Sequence, residues 1–125
     1  MITIYHNPRC SKSRETLALV QEVAQGKNLA VSVIEYLKTP PTQAELMALH
    51  SQLGQPVRDM LRDNEEEYAG LGLANADDAA LFAAIAAHPK LLQRPIVSYR
   101  NQAIIGRPPQ RVLSLFGDHQ EAATS

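Results

Sequence analysis

Ile2-Thr3-Ile4-Tyr5 alternates apolar and polar positions and is β-branched or aromatic throughout, which predicts a strand. His6-Asn7-Pro8-Arg9 breaks it. A helical period follows, with Leu17, Val20 and Ala24 on one face of a helix that begins near Cys10. Ser11 or Ser13 can cap that helix, and Gly26 with Lys27-Asn28 ends it. Residues 30–36, Ala-Val-Ser-Val-Ile-Glu-Tyr, read as a second strand. A strand–helix–strand unit of this length predicts parallel strands and a right-handed crossover.

Pro40-Pro41 interrupts the pattern. Thr42 with Glu45 forms a capping box ahead of Leu46, Leu49 and Leu53, and Gly54 closes that helix. Pro56 opens a short helix to Leu61, the acidic stretch from Asn64 to Ala69 predicts another helical turn, and Asp77-Asp78 caps a helix through Ala87. The region from about residue 40 to 93 is therefore expected to be helical throughout. After Pro95, Ile96-Val97-Ser98-Tyr99 and Gln102-Ala103-Ile104-Ile105 flank Arg100-Asn101 as a hairpin. Gly106 breaks the second of these strands. Pro108-Pro109 opens a last helix carrying Val112, Leu113 and Phe116, ended by Gly117. The order βαβ, helical insert, ββα predicts an α/β protein of thioredoxin-like arrangement with a four-stranded mixed sheet. Residues 1–117 form its single domain, the insert spans about 40–93, and 118–125 is a polar C-terminal tail.

Composition narrows the class. The chain has 125 residues, 45% of them hydrophobic, which supports one domain with a real core. Aromatic residues make up only 5%, so aliphatic side chains must fill that core. Lys+Arg 12 against Asp+Glu 13 leaves a net charge of −1, which argues against an electrostatic grip on nucleic acid or membrane. No apolar run reaches the ~18 residues of a membrane span, and Met1 leads into a strand without a basic n-region, so neither a membrane anchor nor a signal peptide is expected. The single cysteine excludes an internal disulfide and fits a reducing cytoplasm. His50, His88 and His119 show no ligand spacing, and no metal is expected.

Cys10 is the candidate for chemistry. It lies between a strand and the N-terminus of a helix, where unpaired N–H groups and partial positive charge favour a thiolate. His6, Arg9, Lys12 and Arg14 add nearby charge. An inert, buried thiol is the alternative, and polar neighbours on both sides argue against it. Ser13 stands where a second cysteine would make a C-x-x-C redox pair. Arg14 follows Cys10 too closely for the C-x-x-x-x-x-R loop of a cysteine phosphatase.

Tyr5-His6-Asn7-Pro8-Arg9-Cys10 with Ser13-Arg14 and Thr16-Leu17 resembles the active-site segment of the glutaredoxin-dependent arsenate reductases. The resemblance continues in family order through Tyr36-Leu37, Pro40-Pro41, Val57-Arg58, Leu61-Arg62, Leu71-Gly72-Leu73, His88-Pro89, Arg94-Pro95-Ile96-Val97 and Arg107-Pro108, covering the chain to about Gly117. It implies an oxyanion site made of Cys10, Arg62, Arg94 and Arg107, with a cis proline at Pro95 beside the cysteine. Arginine suits that task because it stays charged and presents a fork of donors to a tetrahedral anion. His6, Asn7, Ser13 and Arg14 are supporting candidates. His6 either stabilises the thiolate when protonated or bonds backbone at the strand end, and Asn7 and Ser13 either bond the thiolate or cap the helix.

The implied activity is reduction of arsenate to arsenite through a cysteine–arsenate adduct. Glutathione is the co-substrate, glutaredoxin the partner, no cofactor is bound, and the protein is expected as a cytoplasmic monomer. Where the best-known arsenate reductases carry Gly-Thr after the cysteine, this chain has Ser11-Lys12, which either compensates by charge or marks another oxyanion. Two other functions suit the fold. An Spx-like regulator that binds RNA polymerase would commonly carry the C-x-x-C switch missing here. A single-thiol glutathione oxidoreductase acting on protein disulfides would need no cradle of three arginines.

Overall fold

The computed structural model describes residues 1–117, and the tail expected at 118–125 lies outside the described residues. The chain folds as two compact units, one made of residues 1–35 with the segment from Arg94 onward, the other of Tyr36–Gln93.

In the first unit, β1 (Ile2–His6), α1 (Ser11–Lys27) and β2 (Val31–Glu35) are followed by β3 (Ile96–Tyr99) and β4 (Gln102–Ile105). The sheet has four strands in the order β2-β1-β3-β4. β1 runs parallel to β2 and antiparallel to β3, and β3 pairs antiparallel with β4, so the sheet is mixed as expected. Ile4 lies opposite both Val33 and Val97. The alternation of β1 sends Ile2, Ile4 and His6 inward, while Thr3 and Tyr5 stay half-buried. Ile2, Ile4, Val97 and Tyr99 form one core with Val20 and Ala24 of α1 and with Val112, Leu115 and Phe116.

Several local readings need correction. The inward stripe of α1 is Ser13, Thr16, Val20 and Ala24, so it passes through Thr16, and Leu17 is only half-buried. Neither Ser11 nor Ser13 caps α1; Cys10 itself is the N-cap residue. The helix runs through Gly26 and stops at Asn28, whose φ of 56° is left-handed and whose N–H reaches the carbonyls of Ala24 and Gln25. Asparagine tolerates that conformation at a helix end. The second strand is one residue shorter at each end than the pattern suggested. Arg100 and Asn101 both take positive φ, 51° and 63°, which gives the hairpin a turn whose twist matches its strands. The last helix is a 3₁₀ segment, Pro109–Phe116. Its buried positions include Pro109, Val112 and Leu115, a spacing of three that suits the tighter helix and leaves Leu113 at the margin.

In the second unit, α2 (Gln43–Leu53), α3 (Glu66–Gly70) and α4 (Asp78–Ala87) are joined by 3₁₀ turns at Val57–Met60, Leu73–Asn75 and Pro89–Leu91. The capping box is present: Thr42 Oγ1 accepts the Glu45 N–H at 3.1 Å, and Glu45 Oε1 accepts the Thr42 N–H at 2.8 Å. α2 buries Leu46, Leu49 and Leu53, and α4 buries Leu81, Phe82 and Ile85. The two helices pack together, with the His50 ring edge-on to Phe82 at 5.6 Å. The region is not purely helical. Leu61 and Leu92 form an isolated antiparallel bridge, with the Arg62 N–H on Leu91 O and the Gln93 N–H on Met60 O, both at 2.7 Å.

The core of the first unit sets a test. Ile4→Ala should lower unfolding stability by roughly 2–5 kcal/mol, because Ile4 is fully enclosed, whereas Val33→Ala on the exposed edge strand should change it by no more than about 0.5 kcal/mol. Urea unfolding followed by circular dichroism reads both.

Candidate active site

Cys10 occupies the bend between β1 and α1. Asn7 shapes that bend: its carbonyl accepts the Cys10 N–H and its Oδ1 accepts the Arg9 N–H, each at 3.0 Å. The side chains of Asn7 and Ser13 therefore cap nothing on α1. Ser13 is fully buried and turns back toward β1. Its Oγ accepts the Asn7 N–H at 3.0 Å and lies 2.6 Å from His6 Nδ1. Arg14 donates to the Pro8 carbonyl at 2.9 Å and so pins the outer side of the same bend.

The thiol is half-buried at the start of α1. Burial by itself pushes its pKa up. The Ser13 N–H, the Arg94 charge, the Lys12 N–H and the Arg107 charge act the other way, and the net direction is down. The two amides belong to the first turn of α1, whose N–H groups have no partner within the helix. The expected sources of charge are thus replaced. The charges that pull the thiol pKa down are those of Arg94 and Arg107, which come from a distant part of the sequence.

Burial disfavours the cationic form of His6. It is buried, and burial lowers its pKa; Glu35 pulls upward and Arg14 downward, with a net shift down. Its partner is the Ser13 hydroxyl rather than backbone. A neutral imidazole lets Ser13 donate its proton to Nδ1 while accepting from Asn7.

Arg94 precedes a cis peptide bond to Pro95, and a second, unforeseen cis bond joins Arg107 to Pro108. Arg107 Nη1 donates to the Arg94 carbonyl at 3.3 Å. Nε of Arg94 is buried and has no acceptor, a donor left open. Of the other arginines, Arg62 in the second unit is bound to Glu65 at 2.6 Å, both side chains being 19% exposed. Arg58 is tied to the carbonyls of Leu73 and Ala76 at 2.9 and 2.7 Å and to the Tyr68 hydroxyl at 3.2 Å, a structural tie within its own unit. Arg100 stacks over Tyr99 in the hairpin turn, 5.2 Å from the ring centroid.

Among the described residues, no cluster of three or more His, Cys, Asp or Glu side chains is placed to hold a metal ion, and no helix is long and apolar enough to cross a membrane. Sequence reasoning passed over Thr16 and Gly106 as site residues. Thr16 is fully buried next to Gly106 and Pro95. The signal for it was a hydroxyl in register with the inward stripe of α1.

An acidified thiol with two guanidinium charges and an open buried donor is chemically suited to attack and hold a small tetrahedral oxyanion. Comparison with known proteins agrees with that class. The sequence pattern of the ArsC family matches residues 5–115, and the chain belongs to this family. It is similar to an arsenate reductase of Neisseria meningitidis, 45% identical over 114 residues that cover 89% of this chain and 94% of that one. It is also similar to an arsenate reductase of Escherichia coli, 42% identical over 124 residues covering 98% and 85% respectively. Among solved structures, an arsenate reductase from Vibrio cholerae superimposes with a TM-score of 0.83 at 51% identity, covering 91% of this chain and 96% of that one.

Two pH effects follow. The rate of Cys10 alkylation should reach half its maximum below the ~8.5 of a free thiol, and Arg94→Ala or Arg107→Ala should each move that midpoint up. His6 has a folded pKa below its unfolded ~6.5, so its contribution to stability is complete above that value and is lost as pH falls through the folded pKa. Urea midpoints measured across this acid range should fall with pH in the native protein, and the fall should be shallower in His6→Gln.

Proposed function

We propose that this protein is an arsenate reductase in which Cys10 is the nucleophile. The reading is supported most directly by the charges of Arg94 and Arg107 acting on a half-buried thiol at the start of α1. Family membership and the named relatives support arsenate as the oxyanion. The Cys10 thiolate attacks arsenic and a hydroxyl departs as water. Glutathione replaces a second hydroxyl in the same way. Glutaredoxin thiolate then attacks the glutathione sulfur, the electron pair of the As–S bond passes to arsenic, and As(III) is left on Cys10 until water releases arsenite. With one cysteine in the chain, the resolving thiol must come from outside.

Arg94, Arg107 and Arg62 are assigned to the oxyanion, Arg62 from its place after Leu61 in the family pattern. Pro95, Asn7 and Arg14 shape the surrounding backbone, while His6 and Ser13 hold the cysteine bend as a neutral pair. Residues 1–117 act as one thioredoxin-like domain with an insert. The reductants it needs are those of a cytoplasm, and the protein acts as a monomer.

Arsenate-dependent oxidation of NADPH, coupled through glutathione, glutathione reductase and glutaredoxin, tests the reading. Wild-type protein should be active and Cys10→Ser inactive. Arg94→Ala, Arg107→Ala and Arg62→Ala should each lose about ten- to a hundredfold in kcat/KM, the cost of one charge-assisted contact, and lysine should restore only part. Arg111→Ala, on the exposed side of the last helical segment, should leave kinetics unchanged. Arg58→Ala should lower stability through its lost carbonyl contacts. If Arg62→Ala alone is silent, only that assignment falls; if all arginine variants behave alike, the site is wrong.

A further inference from the structure

Gly106 sits where β4 leaves the sheet. Its N–H donates to the Pro95 carbonyl at 2.9 Å, continuing the ladder beyond the Ile96–Ile105 pair. The next N–H, of Arg107, donates back to Ile105 O at 2.9 Å, closing a three-residue turn centred on Gly106. That turn swings Arg107 off the strand, and Arg107 Nη1 then returns to the carbonyl of Arg94. The bend that carries Arg107 and the bend that carries Arg94 and Pro95 are thus bonded to each other on either side of Gly106.

α1 bears directly on this junction. A Cβ built on Gly106 would lie 2.9 Å from Thr16 Oγ1, 3.1 Å from Thr16 Cγ2 and 3.1 Å from Pro95 Cγ. Favourable contact between such atoms begins near ~3.5 Å, so no side chain fits without moving a neighbour. The neighbours are poorly able to move. Thr16 is fully buried and β-branched, and its Oγ1 donates to the Lys12 carbonyl at 2.8 Å. Pro95 is a buried ring in a cis linkage. The requirement is spatial, because Gly106 is absent from the glycines with positive φ. Gly54 is the contrast, with φ of 65° and open space at its Cβ position.

We propose that the contact between Thr16 and Gly106 is a positioning device: it beds the exit of β4 directly on the second turn of α1 and so sets how closely Arg94 and Arg107 approach Cys10. Thr16 and Gly106 are positioning residues that act through the two arginines and touch no substrate. The inference rests on the oxyanion reading of those arginines. Any side chain at 106 lifts the arginine-bearing bends away from the cysteine. Removing the Thr16 side chain relieves two of the three close contacts, the tightest among them, and leaves only Pro95 Cγ at 3.1 Å.

The test uses Gly106→Ala, Thr16→Ala and the double variant, each compared with wild type. The readouts are the pH midpoint of Cys10 alkylation, protection of Cys10 from alkylation by arsenate, KM and kcat, and the thermal midpoint. Gly106→Ala should move the alkylation midpoint toward that of a free thiol. It should weaken arsenate protection by about tenfold, and raise KM more than it lowers kcat, as overpacking of this size allows. The double variant should recover most of both shifts. A Gly106→Ala protein that melts earlier yet keeps the wild-type alkylation midpoint and arsenate protection overturns the proposal, as does a double variant no better than the single one. Should Gly106→Ala be insoluble, the double variant decides alone: arsenate protection within about threefold of wild type supports the device, and a loss of about tenfold or more overturns it. Alkylation needs no turnover, so a wild-type protein that fails to reduce arsenate sinks the assigned activity and leaves the positioning claim to be judged by the thiol.

Discussion

The chemistry of this protein depends on where the N-terminal turns of α1 are held, and buried hydroxyls hold them. The inward stripe of the helix is apolar at Val20 and Ala24, then changes to Thr16 and Ser13 as it nears Cys10. Apolar contacts grip the far half of the helix through area alone, which is non-directional and tolerates small slides. Hydroxyls fix it more tightly. Ser13 binds the last residue of β1 and the backbone that leaves it, and Thr16 stands against Gly106 and Pro95. A slide of the helix would break a buried hydrogen bond at one and close a steric gap at the other. The amide dipoles that face the thiol are therefore delivered at a fixed place.

That placement explains why the thiolate needs charges from another part of the chain. Partial burial opposes ionisation, and the amides of α1 and the two arginine charges together outweigh it. Of the basic residues adjacent in sequence, Arg14 donates to the Pro8 carbonyl, and His6 is biased to neutrality by its burial. Arg94 and Arg107 supply charge without entering that network. They can also bind an incoming anion, which a charge spent on holding the bend could not do.

The sheet and the α2 capping box were legible because each is written locally: period two in β1, β3 and β4, and a threonine three residues ahead of a glutamate. Tertiary contacts decided what local signals could not. The inward stripe of α1 was misread at Leu17 because hydrophobicity was used to locate a face that is partly lined by hydroxyls. The final helix was misread because Leu113 is apolar, although a period of three through Val112 and Leu115 was present in the sequence. The bridge between Leu61 and Leu92 joins segments far apart in the sequence and leaves no local trace. Within the site, Cys10 was visible from its place between strand and helix. Arg94 stood out through its place before Pro95 and Arg107 through its place at the end of the last strand, both within a resemblance, while Arg62 rested on the resemblance alone.

The pair Ser11-Lys12 follows from the same geometry. Glycine after the reactive cysteine would let backbone come close to an anion, but close approach here is already provided by the direction of α1. Ser11 and Lys12 are the first two residues of the helix, with exposed side chains turned away from the packed face. The Lys12 amide still acts on the sulfur, and its carbonyl still receives the Thr16 hydroxyl. A side chain at these positions therefore takes no donor away from the thiol. Glycine would make the first turn of the helix less stable, by roughly 0.5–1 kcal/mol relative to a residue with a Cβ. What the departure from Gly-Thr adds is an exposed ammonium on a flexible stem, two residues after the cysteine. Such a group adds long-range attraction for any small anion, without the forked geometry that selects a tetrahedral one. In the proposed reading, selection is left to Arg94 and Arg107, the residues that the contact at Gly106 is proposed to position.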